Sequence, residues 1–244
     1  MTTILDALTS PTAAIDASPA PPGGNTLINT TIDIESWVPW LDFNYANLTR
    51  IFASHLSATY HGSPEPQPLV KDLLVSNETA VDDTLRRFPV PTVNYALNEV
   101  AGSPHFGRGT RVFHTDYQPD WSVVSDEEVD ENGVWCNLLP GESKIGSKWF
   151  PEMANSPDEY TFVEWQKVLR QAVTYSATFR SRYGFSVTDD VDVVLRISRV
   201  YTGPGLARGR PQRTTVVPPI YGTGSPTSGN LYRGGIPYLS RIIR

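Results

Sequence analysis

Apolar residues recur with a helical period most clearly over residues 160–182, and this pattern predicts an amphipathic helix. The positions that define the three- and four-residue spacing are Val168, Leu169, Ala172, Val173, Ser176 and Phe179. A short helix is also predicted within residues 46–60. Residues 69–98 have a helical composition, but two prolines within residues 88–91 interrupt it, which predicts one helix before the prolines and one after them.

Runs that are rich in β-branched and aromatic residues predict the strands. They fall at residues 111–117, 121–125, 133–139 continuing into 142–145, and 192–200. Between the second and the third run, an acidic stretch is followed by Asn132-Gly133, a dipeptide typical of hairpin turns. We therefore expect an α/β (α+β) fold with a central mixed β-sheet flanked by helices.

The composition predicts a single folded domain, because 39% hydrophobic residues in 244 are enough for one sizeable core. Residues 1–30 are rich in Thr, Ser, Ala, Pro and Gly, and we expect them to be disordered. The domain should then span residues 31–200. Residues 201–244 contain Arg, Gly and Pro without an amphipathic period, which predicts an irregular tail, a truncated fold or a flexible phosphate-binding arm.

Charge and targeting patterns restrict the partners. The formal net charge is −6, which is opposite to the basic surface expected of a tight nucleic-acid binder, although residues 201–244 hold six arginines and no acidic residue. No apolar run approaches the roughly 18 residues that a membrane span needs, so no membrane partner is expected. The first residues lack the basic and apolar regions of a signal peptide. With a single cysteine as well, we expect an intracellular protein, nuclear or cytoplasmic.

Two short motifs lie at neighbouring predicted strands. Pro119-Asp120 precedes one strand, and Glu142-Ser143-Lys144 lies in the continuation of the next. Carboxylate oxygens on adjoining strands suit Mg²⁺, which leaves part of its octahedron to water and substrate phosphate. Residues two apart in a strand face the same side, so Glu142 and Lys144 should point together at a substrate. The pattern predicts a nuclease that cleaves phosphodiester bonds.

Gln171 and Tyr175 lie four residues apart on the long predicted helix, so they share one side of it. From there both could reach a nucleic-acid phosphate or the catalytic strand. The alternative interpretation of Gln171 is a solvated helix position, and that of Tyr175 is a half-buried aromatic residue.

The order of these motifs resembles the PD-(D/E)XK nuclease superfamily. The matching segments are Gln-Pro-Asp-Trp at 118–121, Leu-Leu-Pro-Gly-Glu-Ser-Lys at 138–144 with Lys-Trp at 148–149, the helical segment 171–175, and Arg-Tyr-Gly-Phe at 182–185. This order is similar to that of the branch with RecB-like and lambda-exonuclease-like enzymes, and in particular to a group of largely uncharacterised fungal proteins. The resemblance covers about residues 70–205 and implies a restriction-endonuclease-like core.

The resemblance also implies roles for the strand residues. Asp120 and Glu142 would bind Mg²⁺ or Mn²⁺, with the help of a backbone carbonyl near Ser143. Lys144 would orient the attacking water or stabilise the transition state. The expected substrate is DNA, and less readily RNA.

Helical residues complete the implied site. Gln171 and Tyr175 would position the strand that is cut. The family branch carries a further acidic residue on an upstream helix, and Glu78 is the residue that we match to it as a metal ligand, with Glu99 as the competing choice.

The sequence gives less support to other kinds of catalytic site. The four histidines show no close pair with zinc-ligand spacing, and no Gly-x-Ser-x-Gly motif of a serine hydrolase is present. Two alternatives stay open. One is a nuclease-like fold that acts as a nucleic-acid or protein binding module without turnover, and the other is a coincidence of motifs in an unrelated α/β protein.

Overall fold

The structure, a computed structural model, describes residues 1–26, 28, 31–38, 40–112, 114 and 117–199 and the backbone of 214–217. The strands in this part of the chain are β1 (Ile34–Trp37), β2 (His105–Arg108), β3 (Trp121–Val124), β4 (Gly141–Ser143), β5 (Tyr183–Val187), β6 (Asp192–Arg199) and β7 (Thr214–Val217). They form one seven-stranded sheet in the order β1-β7-β6-β5-β4-β3-β2. Strands β2 to β6 form its body, and β1 and β7 extend one edge.

The sheet is mixed. Parallel pairs occur between β4 and β5 and between β1 and β7. The other neighbours pair in antiparallel fashion. The prediction of a mixed sheet flanked by helices is therefore confirmed.

The helices in the described residues are α1 (Ile4–Thr9), α2 (Tyr45–Ile51), α3 (Ala53–Leu56), α4 (Glu78–Arg87), α5 (Pro89–Asn98) and α6 (Glu159–Thr178). The side chain of Asn77 accepts a hydrogen bond from the backbone N–H of Ala80 and caps the start of α4. Pro89 then starts α5 at its first position, where the missing N–H costs no helical hydrogen bond. Both predicted helices on either side of Phe88 are therefore present, as is the predicted helix that starts near residue 160.

Two hydrophobic clusters cover the two faces of the sheet. Val194 of β6 packs in one cluster together with Val81 of α4 and Val90 of α5. Its neighbour Leu195 packs in the other cluster, with Leu169 of α6. Because adjacent residues of a strand face opposite sides, α4 and α5 cover one face and α6 covers the other.

One predicted strand, at residues 111–117, is wrong. The strand before β3 is β2, which lies earlier, and Gly109–Arg111 forms a 3₁₀ turn. The described residues after this turn, up to 117, form no strand. Arg111 turns back instead, and its Nη2 donates to the carbonyl oxygens of His105 and Ser122 at 3.0 and 3.1 Å.

The predicted strand at residues 133–139 is also wrong, because the bridge from Trp135 to Val129 is isolated and the other backbone hydrogen bonds of this segment do not form a strand. The side chain of Asn137 accepts a hydrogen bond from the N–H of Leu139 at 3.3 Å. This local contact competes with a ladder of strand hydrogen bonds. The antiparallel connection itself is present, since Trp121 of β3 pairs with Gly141 of β4.

The N-terminal segment differs from the expectation of disorder over residues 1–30. Thr3 and Asp6 form a reciprocal capping box at the start of α1. Ile4 and Leu8, one turn apart, are fully buried in a cluster with residues of α3 and α5. Two apolar anchors and a cap therefore order this end of the chain despite its composition.

The C-terminal tail contributes β7, which pairs with β6 and β1. The sheet therefore extends beyond residue 200, the boundary expected from the sequence. The expectations of a truncated fold and of a phosphate-binding arm otherwise lie outside the described residues.

Candidate functional site

Strand β4 brings Glu142 and Lys144 together in the middle of the sheet. Lys144 Nζ lies 2.7 Å from Glu142 Oε1, and the two side chains are 1% and 7% exposed. Gly141 allows β4 to pass close to β5, because a Cβ at this position would collide with the ring of Phe185. The expectation that Glu142 and Lys144 share one side of the strand agrees with this contact.

Asp120 joins the site from the end of the preceding loop. Its Oδ2 accepts a hydrogen bond from the backbone N–H of Ser143 at 2.9 Å. Gly109 approaches the same loop so closely that a Cβ would collide with the carbonyl of Pro119, and its N–H donates to the carbonyl of Asp120 at 2.9 Å. The glycine therefore fixes the backbone on which the Asp120 carboxylate is placed.

Helix α6 delivers Gln171 and Tyr175 to the same site. Asp158 caps its start by accepting from the N–H of Thr161 at 2.8 Å. Gln171 Nε2 donates to Glu142 Oε1 at 2.7 Å and lies 2.9 Å from the Tyr175 hydroxyl oxygen. Both helical side chains are buried, so the alternative of a solvated position for Gln171 is wrong.

Glu78, at the first position of α4, lies at the rim of the site. Its Oε2 is 3.8 Å from Lys144 Nζ, and its side chain is 31% exposed. Glu99 follows the end of α5 and is exposed. Of the two acidic residues that the sequence offered, only Glu78 makes an ion pair with Lys144 in the described part of the chain.

The electrostatics of Glu142 are unusual for a carboxylate. Burial raises its pKa to about 8, and the nearby carboxylates of Asp120 and Glu78 add to the rise, although Lys144 acts in the opposite direction. Its Oε2 is buried and has no hydrogen-bond partner among the described residues. The same holds for Gln171 Oε1. Two buried acceptors therefore lack a donor or a cation.

The negative charge of the neighbouring carboxylates also raises the pKa values of Lys144 and Tyr175. Burial alone would lower the pKa of Lys144, but the carboxylates of Glu142, Glu78 and Asp120 raise it overall, so the ammonium stays charged. Burial and the charge of Glu142 raise the pKa of the Tyr175 phenol above its ordinary value. Tyr175 is therefore a neutral hydrogen-bonding group.

Asp82 is a residue of this region that sequence reasoning missed. It lies one turn after Glu78 on α4, it is buried, and it accepts a hydrogen bond from the hydroxyl of Ser143. Burial raises its pKa to about 7, against the lowering effect of that hydrogen bond. The spacing of Glu78 and Asp82 on a predicted helix was the available signal, since it places both carboxylates on one side.

No cluster of three or more His, Cys, Asp or Glu residues with the geometry to hold a metal ion occurs among the described residues. The Lys144 ammonium is paired with both Glu142 and Glu78. The donor set nevertheless suits a hard divalent cation, since it consists of carboxylate oxygens and includes the unpartnered Glu142 Oε2. The residues that would hold such an ion are Asp120, Glu142 and Glu78.

Comparisons with protein-family models, with curated proteins and with solved structures found no match. Among the described residues, no helix combines the length and the apolar character that a membrane crossing requires. The chemistry of this site is therefore what indicates a function.

That chemistry is a concentration of negative charge around one ammonium group. Glu142, Lys144 and Gln171 form a buried floor, and the partly exposed Asp120 and Glu78 form a rim. Three carboxylates and one lysine repel a phosphate unless a further cation compensates them. An anionic group would therefore need a cation beside it to approach this arrangement.

Proposed function

We propose that this protein is a metal-dependent nuclease that hydrolyses phosphodiester bonds of DNA. The observation that carries the proposal is the unpartnered, buried Oε2 of Glu142, on a carboxylate whose other oxygen already accepts from Lys144 and Gln171. A buried carboxylate oxygen without a donor costs free energy, and a divalent cation removes this cost. A restriction-endonuclease-like core is part of the same proposal.

Asp120, Glu142 and Glu78 would hold Mg²⁺ or Mn²⁺ in this enzyme. When bound, the ion would neutralise charge on the scissile phosphate and lower the pKa of the attacking water. Gln171 keeps the Glu142 carboxylate in place through its 2.7 Å hydrogen bond. Tyr175 holds the Gln171 amide in turn.

Lys144 has the role of a fixed positive charge beside the scissile phosphate. Its side chain is buried and paired, so its ammonium is already oriented before substrate binds. A preorganised charge in a site with little water contributes more to a transition state than the same charge in solvent. Asp120 and Glu78 are partly exposed, so DNA would approach the site from the side of this rim.

Cleavage of labelled single- and double-stranded DNA by the purified protein, with Mg²⁺, Mn²⁺ or EDTA, tests this function. Asp120→Ala is expected to lower the metal-dependent rate by at least about 100-fold. The matched control is Asp126→Ala, since Asp126 is an exposed aspartate beyond the end of β3 that accepts a hydrogen bond from Trp135. Equal rates for the two variants, or no cutting by the folded wild type, would reject the nuclease.

A second candidate is a nuclease-like fold that binds nucleic acid or protein without turnover. The observation in its favour is that the site is closed to solvent, since the side chains of Lys144 and Glu142 are only 1% and 7% exposed. It predicts binding of the same DNA without cleavage in either metal, which the same samples reveal by fluorescence anisotropy.

An RNA strand of the same sequence, tested in parallel, separates the two substrate classes.

A further inference from the structure

Asp82 is a buried carboxylate that the proposed chemistry does not use. It lies on α4, and its Oδ1 accepts a hydrogen bond from the Ser143 hydroxyl. Its Oδ2 lies 3.6 Å from Nη1 of Arg86, one turn further along the helix. Burying a carboxylate is costly, so a position that needed only packing would favour an apolar residue.

Ser143 connects this carboxylate to Asp120. The indole N–H of Trp121 can only donate, and it lies 2.7 Å from the Ser143 hydroxyl oxygen. The hydroxyl therefore accepts from Trp121, and it donates to Asp82. The backbone N–H of the same serine donates to Asp120 Oδ2 at 2.9 Å.

The same link fixes α4 against β4. Glu78 lies four residues before Asp82, so both side chains project from one side of the helix, about one turn apart. The hydrogen bond at Asp82 therefore sets how far along β4 the Glu78 carboxylate lies. The result is the 3.8 Å distance between Glu78 Oε2 and Lys144 Nζ.

We propose that Asp82 is a positioning residue of the candidate site, which holds Asp120 through Ser143 and holds Glu78 through α4, so that both carboxylates face Lys144. This role rests on the proposed nuclease function. It assigns to Asp82 no contact with substrate or metal.

The test measures the steady-state cleavage of DNA and its dependence on Mn²⁺ concentration. Asp82→Ala and Ser143→Ala are each expected to lower kcat by about 10- to 100-fold, and to raise the Mn²⁺ concentration for half-maximal rate, with the KM for DNA within about threefold of wild type. The double variant should lose no more than the worse single variant, because both changes break one link. Asp82→Asn keeps an acceptor for Ser143 and should recover most of kcat.

The matched control is Asp83→Ala on the same helix. Asp83 is 60% exposed and pairs with Arg86 and Arg108, without a contact to Ser143. It should leave kcat and the Mn²⁺ dependence within about twofold of wild type, because surface ion pairs contribute little.

Each outcome has one meaning. A change confined to KM, an equal loss in Asp83→Ala, or additive losses in the double variant would overturn the positioning role while the nuclease stands. If Asp82→Ala fails to fold, Ser143→Ala breaks the same link from the strand, and its kcat decides. No cleavage by the folded wild type overturns the nuclease and this role together.

Discussion

Two buried glutamates in this molecule carry a lysine partner, and they differ in a way that separates structure from function. Glu142 lies on β4 and pairs with Lys144, which follows this strand, whereas Glu164 and Lys167 both lie on α6. The two glutamates are 5% and 3% exposed, so both side chains are largely shielded from solvent. Helix α6 takes part in both pairs, since it carries the second pair and its Gln171 donates a hydrogen bond to Glu142 of the first.

The difference lies in how the carboxylate oxygens are paired. Glu164 Oε1 accepts from Lys167, and its Oε2 accepts from the backbone N–H of Asn25 at 2.5 Å. Glu142 Oε1 accepts from two donors, whereas its Oε2 has no partner among the described residues.

The pKa values of the two carboxyl groups move in opposite directions. Burial alone would raise the pKa of Glu164, but its hydrogen bonds and the charge of Lys167 lower it overall. Burial raises the pKa of Glu142 to about 8, because the cost of burying its charge outweighs what Lys144 provides. A fully paired buried glutamate stabilises the fold, whereas an incompletely paired one is poised for a ligand.

The largest expected contrast is between the two lysines. Lys144→Ala should lower the rate of metal-dependent DNA cleavage by about 100- to 1000-fold, because a preorganised charge beside the phosphate is lost. Lys167→Ala should leave that rate within about threefold of wild type, although both lysines pair with a buried glutamate. Initial rates on one labelled DNA, with circular dichroism of each variant, provide the measurement. Similar losses in both variants would mean that Lys144 acts through the fold alone.

The second contrast concerns metal binding. Saturating Mn²⁺ should stabilise the wild type by about 2 to 3 kcal/mol, as expected for a ligand at about 100 times its dissociation constant that binds only the folded state. Glu142→Gln should lose most of this increment, and Glu164→Gln should keep it. Urea unfolding with Mn²⁺ and with EDTA measures the increment in each protein. A Glu142→Gln variant that Mn²⁺ stabilises as much as the wild type would exclude Glu142 as a ligand.

The sequence predicts well which side chains of one helix or strand lie together around Glu142. The period of α6 places Gln171 and Tyr175 on one side, and the two-residue spacing in β4 places Glu142 beside Lys144. These inferences hold because they depend on the geometry of a single helix or strand. Cation and substrate, which depend on the resemblance, stay predictions.

Contacts between distant segments could not be predicted in the same way. The link from Ser143 to Asp82 joins positions 61 residues apart. The approach of Gly109 to Pro119 depends on the fold of two loops. Asn25 reaches Glu164 across 139 residues, so the composition of the N-terminal segment gave no sign of the contact that orders it.

The third contrast is in the pH dependence of stability without metal. Between its ordinary pKa of 4.5 and about 8, Glu142 holds a proton in the folded state that the unfolded state has lost, so wild-type stability falls as the pH rises through this window. Glu142→Gln removes this loss. The free energy of unfolding of this variant, relative to wild type, should therefore rise from pH 5 to pH 9.

Glu164→Gln should show the opposite sign. The folded-state pKa of Glu164 lies below its ordinary 4.5, so the stability it contributes is present above that pH and is lost as the pH falls through the folded value. The variant should be less stable than wild type at pH 7, and the deficit should shrink below pH 4.5. Urea unfolding in EDTA at several pH values measures both trends, and parallel trends would contradict the difference in pairing.

The smallest expected effect concerns the segment that completes the pairing of Glu164. The Asn25 side-chain amide donates to the carbonyls of Lys148 and Glu164 at 3.2 and 3.4 Å. Asn25→Ala should cost about 1 kcal/mol of unfolding free energy, since two long hydrogen bonds are lost while the backbone N–H to Glu164 stays. Cleavage should not change, because no atom of Asn25 bonds to a residue of the candidate site. A loss of cleavage without a loss of stability would mean that the surroundings of Glu164 also contribute to activity. The assignment of Glu164 to the fold and of Glu142 to the candidate site would then be wrong.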